Sequence, residues 1–189
     1  MVVLSQIVSM TTEELISNIR VVPDFPQKGI MFQDITTLLL KPECLKELSD
    51  RLYEEYKDKG ITKVVGIESR GYLLGPALAI RLGAGFVLLR KKGKLPADVV
   101  SETYMKEYGP DSIEIHKGAI NEDDVCLIHD DLLATGGTTA AAYRLVKKFH
   151  PKDIYINFLI DLIDCPRADV FPREAKISSV LPVMEFPDK

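Results

Sequence analysis

Three short apolar runs dominate the hydrophobic pattern of the chain: KVVGI at 63–67, VCLI at 125–128 and IYINFLI at 154–160. Each is rich in β-branched residues and almost continuously hydrophobic, which is typical of strands buried on both faces of a parallel sheet. FVLLR at 86–90 predicts a fourth strand of this kind. YLLGPALAIRL and TTAAAYRLVKKF lie between these strands and predict crossover helices. The resulting order predicts an α/β fold with a mainly parallel central sheet flanked by helices.

The first forty residues predict a small separate layer. Thr11 and Glu14 have the spacing of a capping box, so a short helix should begin there and continue to about Arg20. The proline-containing run VPDFPQKG prevents that helix from continuing. We therefore expect a short helix and a proline-rich segment, together called the hood, over about 1–40.

A longer helix is predicted directly after the hood. Pro42 suits its first turn, and Gly60 suits its end. One apolar stripe runs along it, formed by Leu45, Leu48, Leu52 and Tyr56. This stripe should cover one face of the sheet.

The segment at 112–116 alternates apolar and polar residues, which favours a half-exposed strand. Together with 101–104 it predicts a hairpin that rises from the sheet. We call the surrounding segment, about 91–116, the flap and expect it to be mobile. The whole chain, 1–189, is then expected to be one domain with a hood and a flap.

Composition narrows the classes of ligand. The net charge is −4 and the pI is near 5.5, which argues against a general nucleic-acid or membrane-surface binder. An acidic ligand must therefore meet a local basic cluster. The three cysteines are widely separated and lack CxxC spacing, so we expect reduced thiols in a cytoplasmic protein.

The stretch VCLIHDDLLATGGTT, at 125–139, carries the most specific chemistry. Asp130 and Asp131, the acid pair, would face opposite sides of a continuing strand, so the chain is expected to turn there. Two desolvated carboxylates repel each other and would be relieved by hydroxyls or a divalent cation, such as a ribose diol with Mg²⁺ nearby. The residues from Ala134 to Thr138, called the phosphate loop, precede a predicted helix start, where backbone N–H groups favour a phosphate.

A simpler interpretation exists for part of this stretch. The glycines and Thr138 alone would be explained by a capped strand-to-helix turn beside two solvated aspartates. The ordered combination of acids, hydroxyls and glycines instead favours a phosphorylated ribose. Other phosphate motifs fit less well, because no GxxxxGK[ST] is present and GAGFVL lacks the third glycine of a dinucleotide fingerprint.

The same stretch resembles the phosphoribosyl pyrophosphate (PRPP) binding motif of type I phosphoribosyltransferases, and its LLATGGT ending is most similar to the adenine phosphoribosyltransferases. The resemblance covers nearly the whole chain. Four further blocks match in order: PDFPQKGIMFQDIT, GIESRGYLLGPALA, RKKGKLP and YMKEYGPDSIEIHKGAI. It implies the type I phosphoribosyltransferase fold and the reaction of adenine with PRPP to give AMP and pyrophosphate, in purine salvage.

The resemblance also implies roles for the polar residues. The acid pair would bind the ribose hydroxyls, and Ala134, Thr135, Gly136, Gly137 and Thr138 would bind the 5-phosphate. Glu68 and Ser69, often joined by a cis peptide bond in this family, would present amides to pyrophosphate. Arg70 and Lys94 would bind pyrophosphate, and Arg90 or Lys91 would reach a neighbouring subunit's site. The basic run at 90–94 by itself would usually be a solvated surface.

For the base, the resemblance implies contacts from Met31, Gln33, Leu132 and Leu162. Many family members have arginine where this chain has Gln33, so any side-chain role there departs from the family pattern. Glu107 resembles the acid that protonates adenine N7, and Tyr108 beside it would either pack or contact ligand. Mg²⁺ would be held mainly through PRPP and water, with no protein metal ligand, and the family implies a homodimer.

Two other functions fit parts of the sequence. A PRPP-sensing regulator would need a DNA-reading module or a basic face, and neither is visible at this length and charge. An enzyme for hypoxanthine or guanine would keep the fold and change the base. His129 precedes the acid pair, and packing at a strand end is its simpler interpretation. Neither Ser69 nor Ser101 has an evident histidine base, so a serine hydrolase has little support.

Overall fold

The computed structural model describes residues 9–106, 109–167, 171–172 and 174–184. The strands of this part are β1 Arg20–Pro23, β2 Met31–Asp34, β3 Lys63–Ile67, β4 Gly85–Lys91, β5 Val99–Lys106, β6 Gly109–His116, β7 Val125–Leu133, β8 Asp153–Leu162 and β9 Lys176–Val183. Its helices are α1 Thr12–Ile16, α2 Thr36–Leu39, α3 Pro42–Tyr56, α4 Gly75–Leu82 and α5 Gly137–Lys147, and a 3₁₀ turn spans Arg70–Tyr72.

A seven-stranded sheet has the spatial order β5-β6-β4-β3-β7-β8-β9. The five strands from β4 to β9 in this order pair in parallel, whereas β6 pairs antiparallel with β4 and with β5. This arrangement confirms the predicted α/β fold with a mainly parallel sheet. All four strands predicted from apolar runs are present, and the crossover helices correspond to α4 and α5.

Helices cover both faces of the sheet and define two apolar clusters. One cluster includes α3, α4 and one face of β3 and β7, with Leu48, Leu52 and Tyr56 almost fully buried. The other includes α5 and the opposite face, with Leu145 and Phe158 fully buried. The predicted stripe of α3 is confirmed except at Leu45, which is only partly buried. Burial on both sides explains why the central strands are continuously hydrophobic.

The acid pair does not lie at a turn, so that prediction was wrong. β7 continues to Leu133, because its parallel pairing with β8 runs from Val125 to Asp130 and resumes at Leu132. Backbone hydrogen bonding to a long neighbouring strand therefore keeps the segment extended. The two acids are adjacent residues of one strand rather than residues of a loop.

The hood differs from its prediction in one respect. The capping box is present, since Thr11 Oγ1 accepts from Glu14 N at 3.1 Å and the Glu14 carboxylate accepts from Thr11 N at 2.7 Å. The helix nevertheless ends at Ile16 instead of about Arg20, because Arg20 already pairs with Asp34 in the two-stranded β1–β2 sheet. Residues 1–8 of the predicted hood lie outside the described residues.

The predicted hairpin is formed by β5 and β6, which pair along their whole length from Val99 with His116 to Lys106 with Gly109. It joins the edge of the large sheet through the pairing of β6 with β4. Tyr104, Ile113 and Ile115 of the hairpin are buried, so its base belongs to the core. Over the described ranges, no helix is long and apolar enough to cross a membrane.

Candidate active site

A cavity of about 250 Å³ opens at the carboxyl ends of β3, β4 and β7, beside the first turn of α5. Ligand sites in open parallel sheets occur at this edge. The sequence-predicted residues that line it are Glu68, Arg70, Arg90, Lys91, Asp130, Asp131, Leu132, Ala134, Thr135, Gly136, Gly137 and Thr138. The cavity therefore brings together three acids, three cations and the phosphate loop.

The acid pair is held in a low-dielectric environment. The Asp131 side chain is only 2% exposed, and its Oδ2 lies 3.0 Å from Nε of Arg70. No hydrogen bond reaches that oxygen within the described part of the chain, so the contact is an ion pair without hydrogen-bond alignment. Burial raises the pKa of Asp130, and repulsion from Asp131 raises it further. Burial also raises the pKa of Asp131, although Arg70 opposes this.

This pair therefore carries less negative charge than two exposed aspartates would. Donors that enter the cavity would stabilise its ionised form, because hydrogen bonds to a carboxylate favour the charged state. Neighbouring hydroxyls of a sugar are donors of this kind. The buried Oδ2 of Asp131 is the acceptor with the most to gain, since it has no hydrogen bond from the described residues.

The phosphate loop ends in an uncapped helix start. Gly136 has φ of 81° and ψ of −1°, a left-handed conformation that glycine adopts without strain, and α5 begins at Gly137. No side chain caps α5. The first N–H groups of a helix have no intrahelical acceptor and carry the positive end of the helix dipole. This end of α5 is consequently suited to an anion that the cavity can admit.

Arg90 and Lys91, at the end of β4, line a part of the cavity that we call the cationic wall. Arg90 bridges both carboxylate oxygens of Glu68, each at 3.1 Å, and donates to the carbonyl of Lys94 at 2.9 Å. Glu68 also accepts from the backbone N–H of Lys91 at 3.1 Å. Hydrogen bonds from Arg90 lower the pKa of Glu68, with burial opposing them. The peptide bond between Glu68 and Ser69 is cis, as the resemblance implied.

Several predicted residues do not line the cavity. They are Ser69, Lys94, Met31, Gln33 and Leu162. Glu107 and Tyr108 lie outside the described residues. Ser69 and Lys94 are exposed near its cationic wall, whereas Gln33 is 2% exposed on β2 and donates to the carbonyl of Met31 at 3.5 Å.

Aromatic contacts connect the hood with the cavity. The Arg70 guanidinium lies 5.6 Å from the ring centre of Phe32, within the range of a cation–π contact. Phe32 in turn packs edge to face against Phe25, with ring centres 5.1 Å apart. Arg70 thus contacts the acid pair and an aromatic group of β2 at the same time.

Sequence reasoning missed six lining residues: Ile67, Leu89, Tyr104, Ile113, Leu133 and Thr139. Four of them are apolar strand residues, which any buried strand would supply. Tyr104 is different, because it reaches the cavity from β5. The alternation of the hairpin gave a signal that one face of β5 points inward, but it did not indicate that this face borders the phosphate loop.

His129 packs in the protein interior, as the simpler interpretation of the sequence predicted. It is fully buried, one ring nitrogen lies 3.2 Å from Asn157 Oδ1, and burial lowers its pKa to about 4. Cys126 is likewise fully buried in the core. No group of three or more potential ligands among His, Cys, Asp and Glu could hold a metal ion in the described residues.

The profile of the phosphoribosyl transferase domain family matches residues 36–180. The chain is 60% identical over 172 residues to the adenine phosphoribosyltransferase of Phocaeicola vulgatus, covering 91% of this chain and 99% of that protein. It is also similar to the solved APRTase of Giardia lamblia complexed with 9-deazaadenine, with 42% identity, a TM-score of 0.86 and coverage of 92% and 98%.

A third relative is the adenine phosphoribosyltransferase of Saccharomyces cerevisiae, solved with D-2,5-dideoxy-2,5-imino-altritol 1,6-bisphosphate and adenine. Its identity is 38%, the TM-score is 0.83, and the coverage is 90% of this chain and 98% of that one. The chain belongs to the phosphoribosyltransferase family, and within that family to the adenine phosphoribosyltransferases.

Proposed function

We propose that the chain transfers the 5-phosphoribosyl group of PRPP to adenine, giving AMP and pyrophosphate. The observation that carries this proposal is the cavity that joins a buried acid pair to the uncapped start of α5. A sugar diol and a terminal phosphate are the two ligand groups that these features suit. In the reaction, adenine N9 bonds to ribose C1, the C1–O bond breaks, its electron pair leaves with pyrophosphate, and the base loses one proton overall.

Asp130 and Asp131 accept hydrogen bonds from the ribose hydroxyls, and the amides of the phosphate loop bind the 5-phosphate. This assignment is supported by the unsatisfied Oδ2 of Asp131 and by the left-handed Gly136 before α5. Holding both ends of the sugar phosphate fixes C1 relative to the base, which lowers the entropic part of the barrier.

Pyrophosphate lies against the cationic wall. Arg70 borders the cavity beside the acid pair, and Lys94 approaches from the start of the flap, while amides at Glu68 and Ser69 face the leaving group. Arg90 and Lys91 add positive charge, and Glu68 keeps Arg90 in place in the ligand-free protein. Cations fixed before the reaction stabilise the negative charge that develops on the leaving group without reorganisation.

The residues of the cavity fit a divalent cation that arrives with PRPP. Asp131 has a buried oxygen that receives no hydrogen bond from the described residues, and burial raises the pKa of both acids, so a nearby cation would stabilise their ionised forms. Mg²⁺ would be held mainly through PRPP and water, with the acid pair nearby. When bound, it neutralises charge on the pyrophosphate group.

The base is bound between the hood, about 1–40, and the carboxyl ends of β7 and β8. Met31 and Gln33 contribute from β2, Leu132 from β7 and Leu162 from β8. The contact of Arg70 with Phe32 supports this placement, because it brings β2 to the edge of the cavity. Complexes of the Giardia and yeast relatives with 9-deazaadenine and adenine support adenine as the base.

Glu107 is the proposed proton donor to adenine N7, and Tyr108 contacts ligand or packs beside it. Such a role needs a protonated carboxyl near neutral pH, and therefore a raised pKa in a closed flap. General acids of this kind contribute about 10²- to 10⁴-fold. Replacing Glu107 by Gln should lower turnover by that order. Unchanged turnover would remove Glu107 from this role.

A homodimer in the cytoplasm is the proposed working form. Three exposed apolar side chains lie on α4 or on segments that contact it: Leu73, directly after the 3₁₀ turn, at 48%, Ile80 of α4 at 80% and Leu88 of β4 at 38%. A second copy would bury these side chains, and Arg90 or Lys91 of the first copy would then lie near the cavity of the second. The three cysteines form no disulfide within the described part of the chain, which suits a reducing compartment. Analytical ultracentrifugation of wild type and Ile80→Glu tests the dimer, and a monomeric wild type would contradict it.

AMP synthesis tests the function itself. Purified chain, PRPP and Mg²⁺ should form AMP and pyrophosphate with adenine, and far less product with hypoxanthine or guanine at equal concentration. Chelation of Mg²⁺ should abolish the signal. Equal turnover of hypoxanthine would show that the base was assigned wrongly. Absence of product with any purine would contradict the transferase reaction.

A further inference from the structure

Tyr104 reaches the active-site cavity from the flap. It lies on β5, is 7% exposed, and lines the cavity together with Thr138 and Thr139 of α5. Its position differs from that of every other residue in the proposed phosphate site, because those residues come from β7 and the segment that follows it. A buried tyrosine hydroxyl generally requires a polar partner, so its partners indicate its role.

The hydroxyl takes part in a directed chain of hydrogen bonds. Thr138 Oγ1 donates to the hydroxyl oxygen of Tyr104 at 3.2 Å, and that hydroxyl donates to Oδ2 of Asp111 at 3.4 Å. Both distances exceed the usual O–H···O range of about 2.5–3.0 Å, so both hydrogen bonds are weak. Thr138 belongs to the proposed phosphate loop. Its hydroxyl therefore points at Tyr104 in the ligand-free protein.

A bound phosphate changes which group accepts each proton. Near neutral pH the phosphate oxygens accept hydrogen bonds and do not donate them, so the hydroxyl proton of Thr138 turns to the ligand. The Tyr104 oxygen then loses the hydrogen bond from Thr138. The Tyr104 proton, which Asp111 accepts at 3.4 Å, can turn towards a phosphate at the positive end of α5.

Ion pairs hold β5 in the position that this requires. Glu102, two residues before Tyr104, contacts Arg144 at 2.7 Å and Lys148 at 2.8 Å, and both cations belong to α5. Lys148 also donates to the carbonyl of Ser101 at 2.8 Å. The strand that carries Tyr104 is thus fixed to the helix whose start faces the phosphate. Such preorganisation reduces the entropy lost when a ligand is bound.

We infer that Tyr104 is a direct ligand of the 5-phosphate. Its side chain extends from β5, in the flap, to the phosphate at the start of α5. This inference rests on the proposed function, because it takes the occupant of the phosphate loop to be the 5-phosphate of a ribose. The flap then contributes to substrate binding as well as to the enclosure of the reaction.

Tyr104→Phe tests the inference, because it removes the hydroxyl and keeps the ring. Calorimetric titration with ribose 5-phosphate and, separately, with pyrophosphate should show about tenfold weaker binding of ribose 5-phosphate, the order of one hydrogen bond to a charged group. Pyrophosphate binding should be unchanged. The matched control is Tyr143→Phe, the same change at a tyrosine of α5 that does not line the cavity, and ribose 5-phosphate affinity should then change less than twofold.

Equal weakening of both ligands, or no weakening of ribose 5-phosphate, would overturn the inference. If Tyr104→Phe does not fold, Asp111→Asn decides: it removes the competing charged acceptor, so ribose 5-phosphate should bind at least about twofold more tightly. Unchanged or weaker binding in that variant would overturn the inference instead. Failure of the wild-type chain to bind ribose 5-phosphate would contradict the proposed function.

Discussion

Nε of Arg70 lies 3.0 Å from Oδ2 of Asp131, which is 2% exposed, yet no hydrogen bond from the described residues reaches that oxygen. Asp130, the next residue of β7, gains less from Arg70, because its pKa is raised mainly by burial and by Asp131. Arg70 thus offsets only part of the burial of the two carboxylates, and both acids share a tendency to remain protonated.

This tendency predicts that the acid pair lowers the free energy of unfolding at high pH. The folded pKa of Asp130 is raised above its unfolded value, so the folded state binds more protons between the two. The contribution of Asp130 to the wild-type free energy of unfolding should therefore fall as the pH rises from about 5 to about 8. Asp130→Asn should remove this loss and be more stable than wild type at pH 8 by on the order of 1 kcal/mol. Urea denaturation at both pH values measures the difference.

Asp153→Asn is the matched control for that experiment. Asp153 is paired with Lys176, and the hydrogen bond from Lys176 lowers its pKa although burial, the largest contribution, opposes the change. Its contribution to stability is present above the unfolded pKa and is lost on acidification. This variant should therefore be less stable than wild type at pH 8. A gain of the same size in both variants would show that the effect is not specific to the acid pair.

His129 predicts a pH dependence of the opposite sign. Burial lowers its pKa to about 4, so between that value and its unfolded pKa the unfolded state binds the extra proton. The contribution of His129 to wild-type stability should therefore decrease as the pH falls from about 6.5 to about 4. His129→Leu removes this group, and the stability difference between wild type and variant should shift in favour of the variant as the pH falls. Parallel stability curves for the two proteins would contradict the assignment.

Two glycines at the site separate packing from ligand binding. A Cβ on Gly71 would lie 2.4 Å from the carbonyl oxygen of His129, so Gly71→Ala should lower the free energy of unfolding by about 1–3 kcal/mol. A Cβ on Gly137 has no neighbour within 4 Å, so Gly137→Ala should leave stability unchanged or slightly higher. Its methyl group would stand at the cavity wall, where we place the phosphate. The KM for PRPP should therefore rise in Gly137→Ala. A stable Gly71→Ala would contradict the close packing.

Burial pattern explains which strands could be predicted. The central strands are covered on both faces, so their sequences are continuously apolar and were identified. β9 was missed because it mixes exposed and buried positions, with Leu181 and Val183 buried but Ile177 exposed. β1 was missed because its four residues are mostly exposed. Strands whose side chains gain little burial leave little hydrophobic signal in the sequence.

The candidate site shows a similar division. The acid pair and the phosphate loop are contiguous in sequence, so one motif predicted that they lie together. The expected turn at Asp130 was wrong, because pairing with β8 is a tertiary contact that the motif does not contain. Tyr104 was missed for the same reason, since its place beside Thr138 depends on how the hairpin packs against α5. Local sequence identified the chemistry, whereas neighbouring elements determined which groups meet.

The pair formed by Glu68 and Arg90 gives the last prediction. Arg90 bridges both oxygens of Glu68 at 3.1 Å on the cavity wall and is the main group that neutralises this carboxylate. Arg90→Ala should weaken pyrophosphate binding at least about tenfold, because one cation is lost and an uncompensated carboxylate faces the ligand. Adding Glu68→Gln to Arg90→Ala should recover about fivefold, since the repulsion is removed. Pyrophosphate inhibition of AMP synthesis measures both effects, with ribose 5-phosphate affinity as the control that should not change. A double variant weaker than Arg90→Ala would show that Glu68 contributes to binding independently of Arg90.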